Sequence, residues 1–307
     1  MHILYFIEYR YINRGSFIIF WILEVIKLGN VAYYNGVFSE RDELKIPITD
    51  RALFFGDAVY DMMVGETGKI HQANEHVDRL LQSARAIELK HSYTADMIYE
   101  ILINAIQKSA LPSYTVYVQL SRNSSKRIHS SLSANGANLL VIVEDYALIK
   151  KPEGIKLITA EDKRYRYCNV KTVNLLPAVL ASAKAEEADC DEAIFYRGQT
   201  VTECAHSNVF IIKDNILFTH PLSEHILSGI TRRHVIIGAA ELGMRCKEEP
   251  FDLSALYLAD EILITSTTRL LRFATHVDGI AVGGRQPNAV DALHSFLLWE
   301  YQTNFHK

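Results

Sequence analysis

The spacing of apolar residues predicts several amphipathic helices. Val77, Leu80 and Leu81, followed by Ala84 one turn later, line one face of a helix predicted over residues 75–89. Similar spacing predicts further helices over residues 97–110, 178–188 and 231–242. Gly243 follows the last of these, where a glycine typically ends a helix.

Runs of β-branched and aromatic residues predict the strands. They cover residues 114–120, 138–143, 155–159, 192–196, 208–212, 216–219 and 260–265. Residues 31–38 contain Asn35-Gly36, a dipeptide typical of a tight hairpin turn. Polar residues around Pro152 indicate a linker over 148–154. The pattern predicts an α/β (α+β) protein of two α/β domains, residues 31–147 (small) and 155–307 (large), with a pocket at their interface.

The first thirty residues are rich in Ile, Phe, Tyr and Trp, which resembles a signal peptide or a membrane span. The longest uncharged run, residues 15–23, is shorter than the roughly 20 apolar residues that cross a bilayer. No basic start with a small-residue cleavage site is present. Residues 1–30 are interpreted as an N-terminal extension of unclear role, and no membrane association is expected.

Charge and cysteine content narrow the class of protein. The net charge is −4 and the pI is about 6.3, which do not favour binding to nucleic acid. The four cysteines, Cys168, Cys190, Cys204 and Cys246, are far apart and lack zinc-ligand spacing. Reduced thiols, no metal and a cytoplasmic location are therefore expected.

Two polar segments carry groups that could do chemistry. Lys171 lies between Asn169 and Asn174 just ahead of a predicted helix, and Glu203 precedes a predicted strand. Taken singly, such a lysine is more often a solvated surface residue. Such a glutamate is more often a turn or capping carboxylate.

Two other segments suit an anion. Gly229 and Thr231 begin a predicted helix, whose free N–H groups and positive dipole end favour a phosphate, although a plain helix cap is an equal alternative. Residues 265–268 are four consecutive hydroxyl residues that end a strand. A lysine, a lone carboxylate and two anion sites together match what pyridoxal phosphate requires.

At these residues the chain resembles the class IV aminotransferases, the fold-type IV pyridoxal-phosphate enzymes. Within that family it is most similar to D-amino-acid aminotransferases, from about residue 32 to about residue 284. The motifs, in family order, are Asp50-Arg-Ala-Leu-Phe-Phe-Gly56-Asp-Ala-Val-Tyr60, Glu75-His-Val-Asp-Arg79-Leu, Asn169-Val-Lys171, Val201-Thr-Glu203, Leu227-Ser-Gly-Ile-Thr231-Arg and Thr265-Ser-Thr-Thr268.

The resemblance implies a role for each motif. Lys171 would be the Schiff-base lysine and proton shuttle, and Glu203 the partner of the ring nitrogen. Arg79 would pair with the phosphate, because a guanidinium grips two phosphate oxygens. The remaining cofactor contacts implied are Leu227 on the ring face and Ile230, Thr231, Ser266 and Thr267 at the phosphate.

A basic segment suggests the substrate. Arg127-Ile-His129 resembles the Arg-x-His pair that, with a tyrosine matching Tyr60, binds the substrate α-carboxylate in D-amino-acid aminotransferases. The other interpretation is a basic surface loop. The function implied is transamination of a D-amino acid with a 2-oxo acid, of the type D-alanine plus 2-oxoglutarate. A homodimer is implied by the resemblance only.

Alternatives stay open at this stage. Branched-chain L-amino-acid aminotransferases and aminodeoxychorismate lyases share the cofactor motifs, and a cofactor-free scaffold is a third possibility. Some residues depart from the family pattern. Asp61 stands where many members have Glu, and Cys204-Ala205-His206 replaces smaller Gly and Ser residues. Arg269 and Arg272 make a usually polar segment basic, which leaves the preferred side chain open.

Overall fold

The protein is described by a computed structural model that covers residues 29–130, 136–148 and 150–306. The predicted extension over residues 1–30 lies almost wholly outside the described residues. Within the described ranges, no helix is long and apolar enough to cross a membrane.

The first sheet has six strands, all from the first half of the chain. They are β1 (Val31–Tyr34), β2 (Val37–Glu40), β3 (Ala58–Glu66), β4 (Lys69–Ile70), β5 (Ser113–Ser121) and β6 (Asn138–Asp145). Their spatial order is β2-β1-β6-β5-β3-β4, and each pairing is antiparallel. The predicted hairpin is confirmed: Asn35 and Gly36 form the turn with φ of 46° and 96°.

Three helices accompany this sheet: α1 (Arg51–Phe55), α2 (Ala73–Ala86) and α3 (Ala95–Ser109). The predictions of α2 and α3 are confirmed, although each helix begins two residues earlier than predicted. α3 begins at Ala95 because the Thr94 side chain accepts a hydrogen bond from Met97 N at 3.2 Å. Leu80, Leu102 and Val116 are fully buried in the core between helices and sheet.

The second sheet has nine strands, all from the second half of the chain. They are β7 (Gly154–Glu161), β8 (Glu192–Arg197), β9 (Thr200–Cys204), β10 (Asn208–Lys213), β11 (Ile216–Thr219), β12 (Arg245–Glu248), β13 (Glu261–Ser266), β14 (Leu270–Val277) and β15 (Ile280–Ala281). Their order is β12-β11-β10-β13-β14-β7-β8-β9, with β15 paired to β14. The predicted linker, 148–154, falls between the two sheets, and its residue 149 lies outside the described ranges.

Four helices belong to this half: α4 (Leu176–Glu187), α5 (Ile230–Glu241), α6 (Leu253–Leu258) and α7 (Pro287–His306). The helices predicted at α4 and α5 are confirmed. α5 ends as predicted, since Gly243 takes a φ of 70° and Met244 N donates to Ala239 O at 2.7 Å. α5 packs on α7, with the ring of Phe296 against Gly238.

Contacts around Lys171 and around His234 are among those that connect the halves. Thr172 pairs with Val59 in an isolated bridge, and Lys171 O accepts a hydrogen bond from Tyr60 N at 2.9 Å. Val170 is buried in the core of the first sheet, so this segment of the second half is built into the first. In addition, His234 on α5 lies between Glu75 of α2 and Glu300 of α7.

Candidate active site

A pocket of about 520 Å³ lies where the two halves meet, a volume typical of a small-molecule site. The predicted site residues that line it are Tyr60, Arg79, Lys171, Glu203, Leu227, Ile230, Thr231, Ser266 and Thr267. Residues from both halves of the sequence therefore converge on one cavity.

Lys171 is held by its backbone and leaves its amine available. Its N–H donates to Ser83 Oγ at 3.2 Å, and its carbonyl accepts from Tyr60 N. The amine Nζ lies over the Tyr60 ring, 4.5 Å from the centroid, and is bonded to no acceptor in the part of the chain that the structure describes. A half-buried amine of this kind can act as a nucleophile and as a proton carrier.

Glu203 is at the end of β9 and is only 4% exposed. Its Oε2 accepts from Asn208 Nδ2 and from Leu227 N, each at 2.9 Å. Its Oε1 accepts from Arg164 Nη1 at 2.5 Å. Burial raises the pKa of this carboxyl to about 7, against the lowering effect of Arg164. A cationic ring nitrogen beside it would lower that raised pKa and keep the carboxylate ionised.

The other end of the pocket is an anion site at the start of α5. Gly229 precedes the helix without any side-chain cap, so the first N–H groups of α5 are unsatisfied by a capping residue. The hydroxyls of Thr231, Ser266 and Thr267 bond to none of the described residues. Neutral donors at a positive helix end are what a phosphate group requires.

Arg79 supplies a charge at this end. Its Nη1 donates to Ser228 O at 3.2 Å, which places the guanidinium beside the start of α5. Its other nitrogens bind both oxygens of the fully buried Asp61 at 2.7 and 2.8 Å. Burial opposes ionisation of Asp61, but Arg79 and His76 outweigh it and hold its pKa well below the ordinary value. Asp61, the departure noted above, therefore orients Arg79.

Arg127 and His129 lie away from this pocket. Both are exposed, and neither lines it. Both pack on Phe55, with the Arg127 guanidinium 5.7 Å and the His129 ring 5.3 Å from the ring centroid. Within this single chain, the two side chains share one surface but do not meet Lys171.

Arg164 is a pocket residue that sequence reasoning missed. Besides its bond to Glu203, it is fixed by Asp162, to which Nε and Nη2 both donate at 2.9 Å. Nothing in its sequence neighbourhood marks it, because it is one of several basic and tyrosine residues in a row. Only the fold brings it beside Glu203.

The other departures from the family pattern have defined partners. His206 lines the pocket, and its Nδ1 lies 3.2 Å from Glu192 Oε1. Arg272 is buried and donates to Glu192 Oε2 at 3.2 Å, while Arg269 lies 3.9 Å from Glu153. Neither arginine lines the pocket.

The donor set fits pyridoxal phosphate. A free amine, a buried carboxylate and an anion site with one guanidinium lie around one cavity, which matches the aldehyde, ring nitrogen and phosphate of that cofactor. The start of α5 packs closely on Asn208, since a Cβ at Gly229 would lie 2.0 Å from Asn208 Oδ1. Among the described residues, no group of three His, Cys, Asp or Glu side chains could hold a metal ion.

Comparison with known proteins identifies the family of this chain. Residues 58–277 match the family profile described as amino-transferase class IV. The chain is 36% identical over 283 residues to a D-alanine aminotransferase of Listeria monocytogenes serotype 1/2a (strain 10403S), covering 87% of this chain and 94% of that protein.

Two solved structures are also similar. One is a branched-chain amino acid aminotransferase of T.th. complexed with N-(5'-phosphopyridoxyl)-L-glutamate, with 25% identity, a TM-score of 0.80 and coverage of 90% of this chain and 95% of that one. The other is a putative 4-amino-4-deoxychorismate lyase of Legionella pneumophila, with 26% identity, a TM-score of 0.77 and coverage of 85% and 97%. The family match spans more than half of the chain, and this protein therefore belongs to the class IV aminotransferases and is an aminotransferase.

Proposed function

We propose that the protein is a pyridoxal-phosphate-dependent D-amino-acid aminotransferase. It transfers the amino group of a D-amino acid to a 2-oxo acid, as in D-alanine plus 2-oxoglutarate giving pyruvate plus D-glutamate. The observation that carries this proposal is the meeting of the Lys171 amine, the buried Glu203 carboxylate and the α5 anion site in one pocket. The similarity to D-alanine aminotransferases over nearly their whole length supports the substrate class.

The chain's own residues have distinct tasks. When bound, pyridoxal phosphate supplies an aldehyde for the substrate amine and a ring that accepts the electron pair left at the substrate α-carbon. Lys171 Nζ would hold the cofactor covalently between turnovers, and once released it would carry the proton taken from the substrate α-carbon. Glu203 is fixed by Arg164, Asn208 and the Leu227 N–H, and it would stabilise positive charge at the ring nitrogen.

Arg79, with the N–H groups of Ile230 and Thr231, would bind the phosphate. The hydroxyls of Thr231, Ser266 and Thr267 would complete that contact, and Leu227 would contact the ring. These residues would hold the phosphate end of the cofactor, while Glu203 and Lys171 line the same pocket.

Substrate recognition needs a second copy of the chain. Tyr60 lines this chain's own pocket, whereas Arg127 and His129 are exposed on its surface. We infer a homodimer in which these two residues bind the substrate carboxylate in the partner's site. Leu176, Val179 and Leu180 of α4, beside the pocket, are 68%, 58% and 55% exposed, an apolar surface that a second copy would cover.

The location proposed is the cytoplasm. All four cysteines are free thiols in the structure, and Cys204 is buried. Unpaired cysteines are typical of a reducing compartment.

A spectral assay tests the proposed function. The purified protein loaded with pyridoxal phosphate is mixed separately with D-alanine, L-leucine and aminodeoxychorismate, and conversion of the visible absorbance band is followed. D-Alanine should convert the cofactor fastest, and 2-oxoglutarate should restore the band. Faster conversion by L-leucine would point to a branched-chain enzyme, and release of pyruvate from aminodeoxychorismate to a lyase; either result would replace the proposal.

The covalent role of Lys171 has its own assay. Borohydride reduction followed by mass spectrometry should find the adduct on Lys171, and Lys171→Ala should remove both the adduct and turnover. A protein that stays colourless after saturation with the cofactor would instead be a scaffold without this chemistry.

A further inference from the structure

A buried arginine attaches residues 126–130, which we name the carboxylate loop, to the fold. Arg51, at the start of α1, is 3% exposed. Its Nη1 donates to Ile128 O at 2.7 Å, and its Nη2 donates to His129 O at 3.1 Å. The two carbonyls belong to the very segment that carries Arg127 and His129.

The other side of the Arg51 guanidinium is fixed by Asp57. Arg51 Nε donates to Asp57 Oδ2 at 2.8 Å. Arg122 Nε approaches both oxygens of the same carboxylate at 3.1 Å. Arg122 is itself held, because it donates to Ile87 O at 2.6 Å and to Glu88 O at 2.8 Å. Asp57 is therefore an acceptor shared by two arginines, and of these two it is Arg51 that also donates to the carboxylate loop.

The same turn of α1 also contacts the side chains of the loop. The Arg51 guanidinium lies 4.6 Å from the centroid of the Phe55 ring. That ring is also the surface on which Arg127 and His129 pack. Residues Arg51 and Phe55 thus support the carboxylate loop through its backbone and its side chains together.

We propose that Arg51 is a positioning residue for substrate recognition, which holds Arg127 and His129 in the orientation that binds the substrate carboxylate. This inference rests on the proposed function. A guanidinium is needed because it presents donors in a planar fork to two carbonyls and one carboxylate at once, which an ammonium group cannot reproduce. Recognition in the partner's site then depends on a residue that touches neither substrate nor cofactor.

The test is Arg51→Lys in the cofactor-loaded enzyme, with KM and kcat measured for D-alanine. The lysine keeps the charge beside Asp57 but loses the fork to the loop. We expect KM to rise about 10-fold with kcat changed by less than about 2-fold, because displaced binding groups weaken substrate capture. Conversion of the cofactor by ethylamine, which is D-alanine without its carboxylate, should proceed at the wild-type rate.

Arg122→Lys is the matched control. It makes a similar change in a buried arginine on the same Asp57, but its other bonds go to Ile87 and Glu88, outside the carboxylate loop. It should lower the melting temperature about as much as Arg51→Lys while leaving KM for D-alanine near the wild-type value. Equal KM effects in both variants would overturn the inference.

Ile128→Gly provides a second variant if Arg51→Lys does not fold. The Ile128 side chain is 54% exposed, so its loss leaves the core intact while loosening the anchored segment. KM for D-alanine should rise and the ethylamine rate should not fall. An unchanged KM, or an equal loss with ethylamine, would overturn the inference. Wild-type enzyme that fails to use D-alanine would instead overturn the proposed function.

Discussion

Gly229 at the start of α5 packs closely against the Asn208 side chain. A Cβ there would lie 2.0 Å from Asn208 Oδ1, and Asn208 is the residue that donates to Glu203 and to Leu227 O. Gly229→Ala should displace Asn208 and break buried hydrogen bonds, at a cost of about 1–3 kcal/mol. We expect the affinity for pyridoxal phosphate to fall about 10- to 100-fold, measured by absorbance titration of the apo protein.

Gly198→Ala is the control for this prediction. Gly198 lies in a turn with a φ of 63°, and nothing lies within 4 Å of its added Cβ. The substitution strains the backbone away from the pocket, so it should lower the melting temperature without changing cofactor affinity. Wild-type affinity in Gly229→Ala would show that Asn208 can move without consequence.

Glu203→Gln tests the partner of the ring nitrogen. The amide keeps the shape and one acceptor but loses the charge, so kcat for D-alanine should fall about 10²- to 10³-fold. Covalent loading of Lys171 should persist, as judged by the visible band. Glu187→Gln, the same change on the exposed end of α4, should leave kcat unaltered. A wild-type kcat in Glu203→Gln would show that the charge of Glu203 is not needed at the ring nitrogen.

At the scale of elements, His234 joins α2, α5 and α7. Burial alone would lower the pKa of His234, but hydrogen bonds and the charges of Glu300 and Glu75 outweigh it and raise that pKa. Arg233 also pairs with Glu75. Burial, with the charges of His234 and His76, lowers the pKa of His71 to about 3, so this neighbour stays neutral.

The pH dependence of stability follows from this raised pKa. The ion pairs of protonated His234 contribute fully below its unfolded pKa of about 6.5 and are lost as pH rises through the higher folded value. His234→Asn should cost about 1.5–3 kcal/mol at pH 6 and less at pH 9. Denaturant unfolding of both proteins across this range measures the difference. A difference that grows with pH would show that neutral His234 is the stabilising form.

The elements that were predicted from the sequence are those with clear periodicity, and two of the missed strands contain a buried charged residue. β3 was not predicted, since Asp61 occupies an inward position that looks polar until its partner Arg79 is known. Arg272 obscures β14 in the same way. α7 differs, because Val290, Leu293 and Leu297 have helical spacing and that signal could have been used.

The candidate site was more predictable than these strands. Its chemistry is concentrated in short motifs, such as the residues around Lys171 and Glu203. Arg164 could not be predicted, since its contact with Glu203 joins positions 39 residues apart on the basis of tertiary structure alone. Arg127 and His129 do not line the pocket of their own chain. Their position relative to the partner's pocket depends on how two chains assemble, which the sequence of one chain does not predict.

At the scale of the whole molecule, the proposed dimer predicts complementation between two inactive variants. Lys171→Ala lacks the amine but keeps Arg127 and His129. The double variant Arg127→Ala, His129→Ala keeps the amine but lacks those two side chains. Co-expressed chains that pair at random should regain about one quarter of wild-type activity, because about half of the dimers would hold one complete site. Activity is measured with D-alanine at a concentration below KM.

Two results would contradict this prediction. No recovery in purified mixed dimers would mean that Arg127 and His129 act elsewhere. Full D-alanine activity in a monomeric variant, such as Leu176→Glu checked by light scattering, would mean that one chain is sufficient. Leu53→Glu is a second candidate for a monomeric variant, since Leu53 is 58% exposed on α1 near the carboxylate loop.

The pairing of Lys171 and Thr172 with β3 restricts how this enzyme can move. Backbone hydrogen bonds from Tyr60 N to Lys171 O and from Val173 N to Ala58 O attach the segment that carries Lys171 to the first half of the chain. A hinge opening between the halves would break these hydrogen bonds and displace Lys171. We therefore expect substrates to enter the pocket without such a hinge motion. Splitting the gene at the linker should likewise yield fragments that are inert until they reassemble.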